Sequence, residues 1–79
     1  MAKLLYLGSH GVEDPTKAGL VFVGANGARD AGHEATVALV GDATLLMKDA
    51  IAAATVPVGW PAVAELMRTA VDKGVTILV

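Results

Sequence analysis

The stretch Ser9-His10-Gly11-Val12-Glu13-Asp14 gathers an imidazole, two carboxylates and the only serine of the chain within six residues. Side chains of these types could do three kinds of chemistry. An imidazole close to carboxylates can donate or accept protons at a reacting group. His10, Glu13 and Asp14 also make a mixed nitrogen and oxygen donor set of the kind that binds a cation. A glycine-flanked loop that runs into a helix can cradle a phosphate. The phosphate reading is the weakest, because Gly8-x-x-Gly11 falls short of the full GxGxxG pattern and Asp14 places a negative charge where the anion would sit. A Ser/His/Asp triad is not supported, since Ser9 adjoins His10 without a motif around it. We assign neither a metal nor a cofactor. His10 reads either as a proton donor or as a turn residue, and Asp14 either as a site carboxylate or as a helix cap.

Three further positions belong to the same discussion. Gly41-Asp42 follows a second strand and so shares the rim on which Gly8, Ser9, Gly11, Glu13 and Asp14 lie; its plain reading is a turn with a cap. Trp60, the single tryptophan, ends the apolar loop Thr55-Val56-Pro57-Val58-Gly59-Trp60 and is a candidate interface anchor or a residue folded back on the core. His33 precedes the amino end of a strand. With strands of about six residues at ~3.3 Å each, it stands roughly 20 Å from His10, too far to share a site.

The elements that must hold these residues follow from periodicity. Lys3 to Gly8, Glu34 to Val40 and Val75 to Val79 are apolar runs of strand length, expected as three buried strands. Asp14 caps a helix that begins with Pro15, where a missing N–H costs nothing, and runs to about Ala31 with Gly32 as its stop. A second helix is expected from Ala43 to about Ala53, capped by Asp42, with Leu46, Ala50 and Ala53 on one face. A third runs from Pro61 to Lys73 before Gly74, burying Val63, Leu66, Met67 and Ala70 and turning Glu65, Arg68, Asp72 and Lys73 to water. The order βαβααβ implies one α/β domain over residues 1–79, with a parallel sheet, right-handed crossovers and helices on both faces, a three-layer α/β/α arrangement. Asn26-Gly27 after Leu20-Val21-Phe22-Val23 offers a competing hairpin. The small and charged residues that follow Gly27 do not make a strand, so the helix is preferred. Gly24, Gly27, Ala28 and Ala31 would then form a ridge for close packing.

Composition bounds what such a domain can do. A chain of 79 residues buries only about 60% of the surface it exposes when unfolded. Its apolar content is 54% without counting glycine, above the ~45–50% with glycine of an ordinary soluble domain, which points to partner contacts. With no cysteine, these residues offer neither a disulfide nor a nucleophilic thiol. A net charge of −2 with no basic cluster gives no electrostatic footprint for nucleic acid. No apolar run approaches the ~18 residues of a membrane span, and Met1-Ala2-Lys3 leads directly into a strand without the pattern of a signal peptide, so a cytoplasmic location is expected.

The segment from Lys3 to Ala18, with His10-Gly11-Val12-Glu13-Asp14-Pro15 at its centre, resembles the opening of DsrE/DsrF-like proteins. Ala31-Gly32-His33-Glu34-Ala35-Thr36 resembles their entry into the second strand. Val40-Gly41-Asp42-Ala43 with Leu45-Leu46-Met47-Lys48, and Gly59-Trp60-Pro61 with Ala64-Glu65-Leu66, match later turns in the same order. The resemblance spans the chain. It implies a small α/β subunit of a homo-oligomer, a trimer or hexamer, that relays sulfur as a persulfide to carrier-protein partners. It also implies a reactive cysteine directly after the third strand, hence beyond Val79, followed by a βα part absent from these residues. A selenocysteine at a recoded stop codon, a fragment of a longer chain and a short non-catalytic subunit are the competing expectations for that position. In this frame His10 would be the proton donor, and the Gly8 to Gly11 backbone an oxyanion or sulfane-sulfur cradle.

Overall fold

In the computed structural model, which describes all residues from Met1 to Val79, the apolar runs become a three-stranded parallel sheet in the order β1-β2-β3. Its strands are β1 (Lys3–Gly8), β2 (Glu34–Leu39) and the shorter β3 (Thr76–Leu78). β1 and β2 pair over their full length, from Lys3 opposite Glu34 to Gly8 opposite Leu39. β3 pairs with the middle of β2 only, Thr36 with Thr76 through Ala38 with Leu78.

Between β1 and β2 runs α1 (Pro15–Asp30), with Pro15 opening it and the Asp14 carboxylate accepting the Lys17 N–H at 3.2 Å. The helix thus wins over the hairpin, and Asn26-Gly27 lies inside it. Gly32 ends the segment at φ 87°, a conformation that favours glycine. The expected small-residue ridge is only partly a packing surface. A β-carbon on Gly24 would meet the Tyr6 ring at 2.8 Å and one on Gly19 would strike Pro57, whereas Gly27 is exposed and faces open space.

The second helical region differs from expectation. A 3-10 helix (Gly41–Met47) is followed by a separate α2 (Asp49–Ala54), with Lys48 between them in extended conformation at ψ 123°. That break shifts the phase, so Leu46 and Ala52 are buried while Ala50 and Ala53 are exposed. Asp42 makes no side-chain capping bond; the cap position falls on Val40. The third helix, α3, spans Val63–Asp72, two residues shorter at its start than the Pro61 signal suggests. Its first turn hangs from the Ala62 carbonyl, which accepts from Glu65 and Leu66, while the Val63 N–H goes back to Thr55 O at 2.8 Å. The buried stripe Val63, Leu66 and Ala70 is as the spacing predicts, with Met67 partly buried.

A small α/β fold with a parallel sheet is therefore present, but its helices occupy one face only. Parallel crossovers are right-handed almost without exception, so two that step in the same direction across the sheet place their helices on the same side. α1 and α3 pack on each other there. Between them and the sheet lies a core that includes Phe22, Ala25, Val37, Leu39, Val63 and Leu66. Full burial of Phe22 contributes about 1.5–3 kcal/mol by transfer from water. The opposite face, Leu5, Leu7, Thr36, Ala38, Thr76 and Leu78 by strand alternation, carries no helix, and Leu5 and Leu7 are 66% and 63% exposed. The expectation of three buried strands and of a second helical layer is corrected accordingly: β2 alone is well buried. The exposed surface, 4375 Å², is close to the ~4,450 Å² expected of a folded monomer of this mass. The bare face thus reflects topology rather than loose packing.

Candidate functional site

Parallel strands put their carboxyl ends on one rim, and the polar loop after β1 meets the turn after β2 there. Val40 N–H donates to Gly8 O at 2.9 Å, carrying the pairing one step past β2. Gly11 lies against the Asp42 backbone, where a β-carbon would stand 2.5 Å from the Asp42 carbonyl oxygen. Gly41 turns at φ 56° beneath Ser9. Gly8 is packed between Leu39 and Val21, which fixes where the loop departs.

Within the loop, Glu13 folds back as a clasp. One carboxylate oxygen accepts the Gly11 N–H, and the other is 3.1 Å from His10 Nδ1. The Gly11 hydrogen bond is the main reason the Glu13 carboxyl is held below its ordinary value of 4.5, with the His10 contact adding to it. A carboxylate on Nδ1 favours the tautomer with a proton there, leaving Nε2 of His10 to take up or deliver a proton. His10 and Glu13 thus form an oriented acid–base pair. The same clasp engages Gly11 N–H, so a backbone cradle for an anion would have to displace Glu13 or use other donors.

Asp14 stands apart from that pair. Its carboxylate caps α1 and lies 3.9 Å from Lys17 Nζ. No three of the chain's histidine and carboxylate groups converge to hold a metal, so the cation reading of His10, Glu13 and Asp14 has no geometric basis. His33 sits at the other end of the sheet, where its Nδ1 accepts the Ala2 N–H at 2.9 Å.

The loop that carries Trp60 alternates inward and outward: Thr55 and Pro57 are buried, Val56 and Val58 exposed. Pro57 rests on Gly19, and Val58 N–H donates to Thr16 Oγ1 at 3.1 Å, which docks the loop on the first turns of α1. Trp60 is 46% exposed, neither tucked into the core nor free.

Neither concavity of the fold opens at this rim. The larger, about 670 Å³ and mostly apolar, lies between α2 and α3 and includes Ala52, Met67, Val71 and Ile77. Nothing in the sequence marks it, because it depends on the break at Lys48 and on which side of α3 the second helix falls. The smaller, about 300 Å³, lies near Arg29, whose guanidinium donates to Lys73 O at 2.8 Å and His33 O at 3.2 Å. That arginine ties the ends of α1 and α3 together. No helix is long and apolar enough to cross a membrane. Compared with known proteins, the chain matches no family model, no curated protein and no solved structure.

Proposed function

We propose that the chain is a DsrE/DsrF-like subunit that serves, in a longer polypeptide, as a sulfur-relay or thiol/selenol redox carrier of the cytoplasm. The reactive cysteine or selenocysteine would directly follow Val79. The observation that carries this reading is the register of β3. Pairing is observed up to Leu78 opposite Ala38; continued in the same register, Val79 would come level with Leu39 and the next residue with Val40, beside the turn that packs on Gly11. A nucleophile there would share the rim with the His10–Glu13 pair and the amino end of α1. A helix N-terminus favours the ionised thiol or selenol, and the Asp14 carboxylate offsets part of that effect. In the transfer step His10 Nε2 takes the proton of the thiol or selenol, the resulting anion attacks the outer sulfur of a donor persulfide, the sulfur–sulfur bond of the donor breaks, and the departing thiolate takes that proton back from Nε2. The resemblance supports a trimer or hexamer and carrier-protein partners for the same role.

Reading the coding DNA past the Val79 codon is the test. A TGA or cysteine codon followed in frame by a βα pattern supports the proposal, and the full-length protein should then gain one sulfur atom by mass spectrometry when treated with a persulfide donor. An ordinary stop with no continuation would overturn it.

A second reading is favoured by the absence of cysteine and by the half-exposed Trp60: a non-catalytic subunit that completes an oligomer. An ordinary stop after the Val79 codon favours this reading over the first, and light scattering of the chain alone and with candidate partners tests whether it assembles.

A further inference from the structure

The groove between α2 and α3 has a chemistry of its own. Nine of its eleven lining residues are apolar, and the two that are not are Asp49 at the start of α2 and Arg68 on α3. The ion pairs of the chain are Lys3–Glu34, His10–Glu13, Lys17–Asp14 and Lys73–Asp30. Asp49 and Arg68 therefore border one groove without pairing with each other or with any other charge. The apolar lining is not sealed: Val71 is 63% and Met47 49% exposed. Alanines at 52, 53 and 64 leave room for another helix to approach, and methionines at 47 and 67 can adjust to its shape.

We propose that a second copy of the chain docks in this groove about a two-fold axis running along it. Such an axis lays α3 of each copy over α2 of the other. Because a two-fold contact is self-complementary, an unpaired acid on one wall and an unpaired base on the other are satisfied twice, Arg68 of each copy against Asp49 of the other. A ligand of a single charge is less well matched, since a carboxylate suited to Arg68 meets Asp49 and an amine suited to Asp49 meets Arg68. Eleven lining residues per copy fall short of the ~20–30 a side of a standard interface, which places the dimer among weak, micromolar contacts. The inference does not rest on sulfur chemistry. A two-fold contact is compatible with a hexamer built as a dimer of trimers, and not with a lone trimer.

Sedimentation velocity from low to several hundred micromolar protein tests it. The wild-type chain should dimerise as concentration rises. Asp49→Arg and Arg68→Asp, each alone, should raise the dissociation constant by about tenfold or more. The double variant, with the charges exchanged, should return it to within about threefold of wild type. Both positions are exposed, and circular dichroism checks that each variant keeps its fold. Val71→Glu should abolish the dimer, whereas Leu5→Glu on the bare sheet face should leave it unchanged. A wild-type monomer throughout the range, single variants without effect, or a double variant that fails to recover would overturn the proposal. So would loss of the dimer on Leu5→Glu with the charge variants neutral.

Discussion

Gly11 and Asp42 are far apart in sequence but touch at the carboxyl rim of the sheet, the Asp42 carbonyl oxygen occupying the space a β-carbon of residue 11 would need. This contact, rather than a special backbone angle, accounts for glycine at position 11, since its φ is not positive. Gly11→Ala should therefore either displace the 41–42 turn or open the loop, at a cost of about 1–3 kcal/mol typical of overpacking. Urea unfolding monitored by circular dichroism checks this. An unchanged midpoint would mean the two segments are not in contact in solution.

The Glu13 clasp makes a prediction about acid. Its carboxyl is held below 4.5 chiefly by the Gly11 N–H. A group whose folded pKa is depressed contributes stability that is fully present above its unfolded value and is lost as pH falls through the folded one. The clasp should thus hold at pH 4.5 and release only below it. Carbon-13 titration of the Glu13 carboxyl by NMR should give a midpoint under 4.5, moving toward that value in His10→Ala. Glu13→Ala should free Gly11 N–H to faster hydrogen exchange at neutral pH. A midpoint at or above 4.5 in the wild type contradicts the clasp.

Arg29 should matter for stability more than its place in the last turn of a helix suggests. Its two carbonyl contacts join α1 to the end of α3 and to the residue before β2. Hydrogen bonds to a charged group are each worth about 1.5–3 kcal/mol; partial exposure of the site reduces that, so Arg29→Ala should cost about 2 kcal/mol in total. Lysine cannot reproduce a planar two-point contact, and Arg29→Lys should recover less than half of the loss in thermal or urea unfolding.

What could be read from the sequence was what short-range physics decides. β1, β2 and the caps at Asp14, Pro15 and Gly32 follow from runs and residue types whose effect is local, and the stripe on α3 follows from one uninterrupted period. The break at Lys48 has no glycine or proline to announce it. It arises where Leu46 and Ala52 both have to reach the core, which a single straight helix does not allow. The bare face of the sheet was illegible for a different reason. Which faces are covered depends on strand order, and three hydrophobic runs look the same in any order. At the candidate site, the polar loop and the Gly41-Asp42 turn were visible as rim residues, but the Glu13 clasp was not, because residues three apart in a loop have no fixed direction. Arg29 needed the far end of α3, which only the tertiary structure brings near.

Asn26 offers a test of how buried polar groups are balanced between α1 and α3. It is nearly buried, its Nδ2 donates weakly to Leu66 O at 3.4 Å, and its Oδ1 is buried with no partner. An unpaired buried acceptor costs about 1–3 kcal/mol, and the net gain from an ordinary hydrogen bond is only about 0.5–1.5 kcal/mol. Leu66 O lies in the interior of α3, where its helical acceptor role does not depend on Asn26. Asn26→Ala therefore removes an unpaired oxygen without orphaning another group, and alanine also has the better helix propensity. The small cavity it leaves works in the other direction. These terms nearly cancel, so Asn26→Ala should shift stability by less than about 1 kcal/mol in either direction. A loss above about 2 kcal/mol in urea unfolding would show that the Asn26 oxygen has a partner in solution, such as an ordered water, and that the α1–α3 contact is built around it.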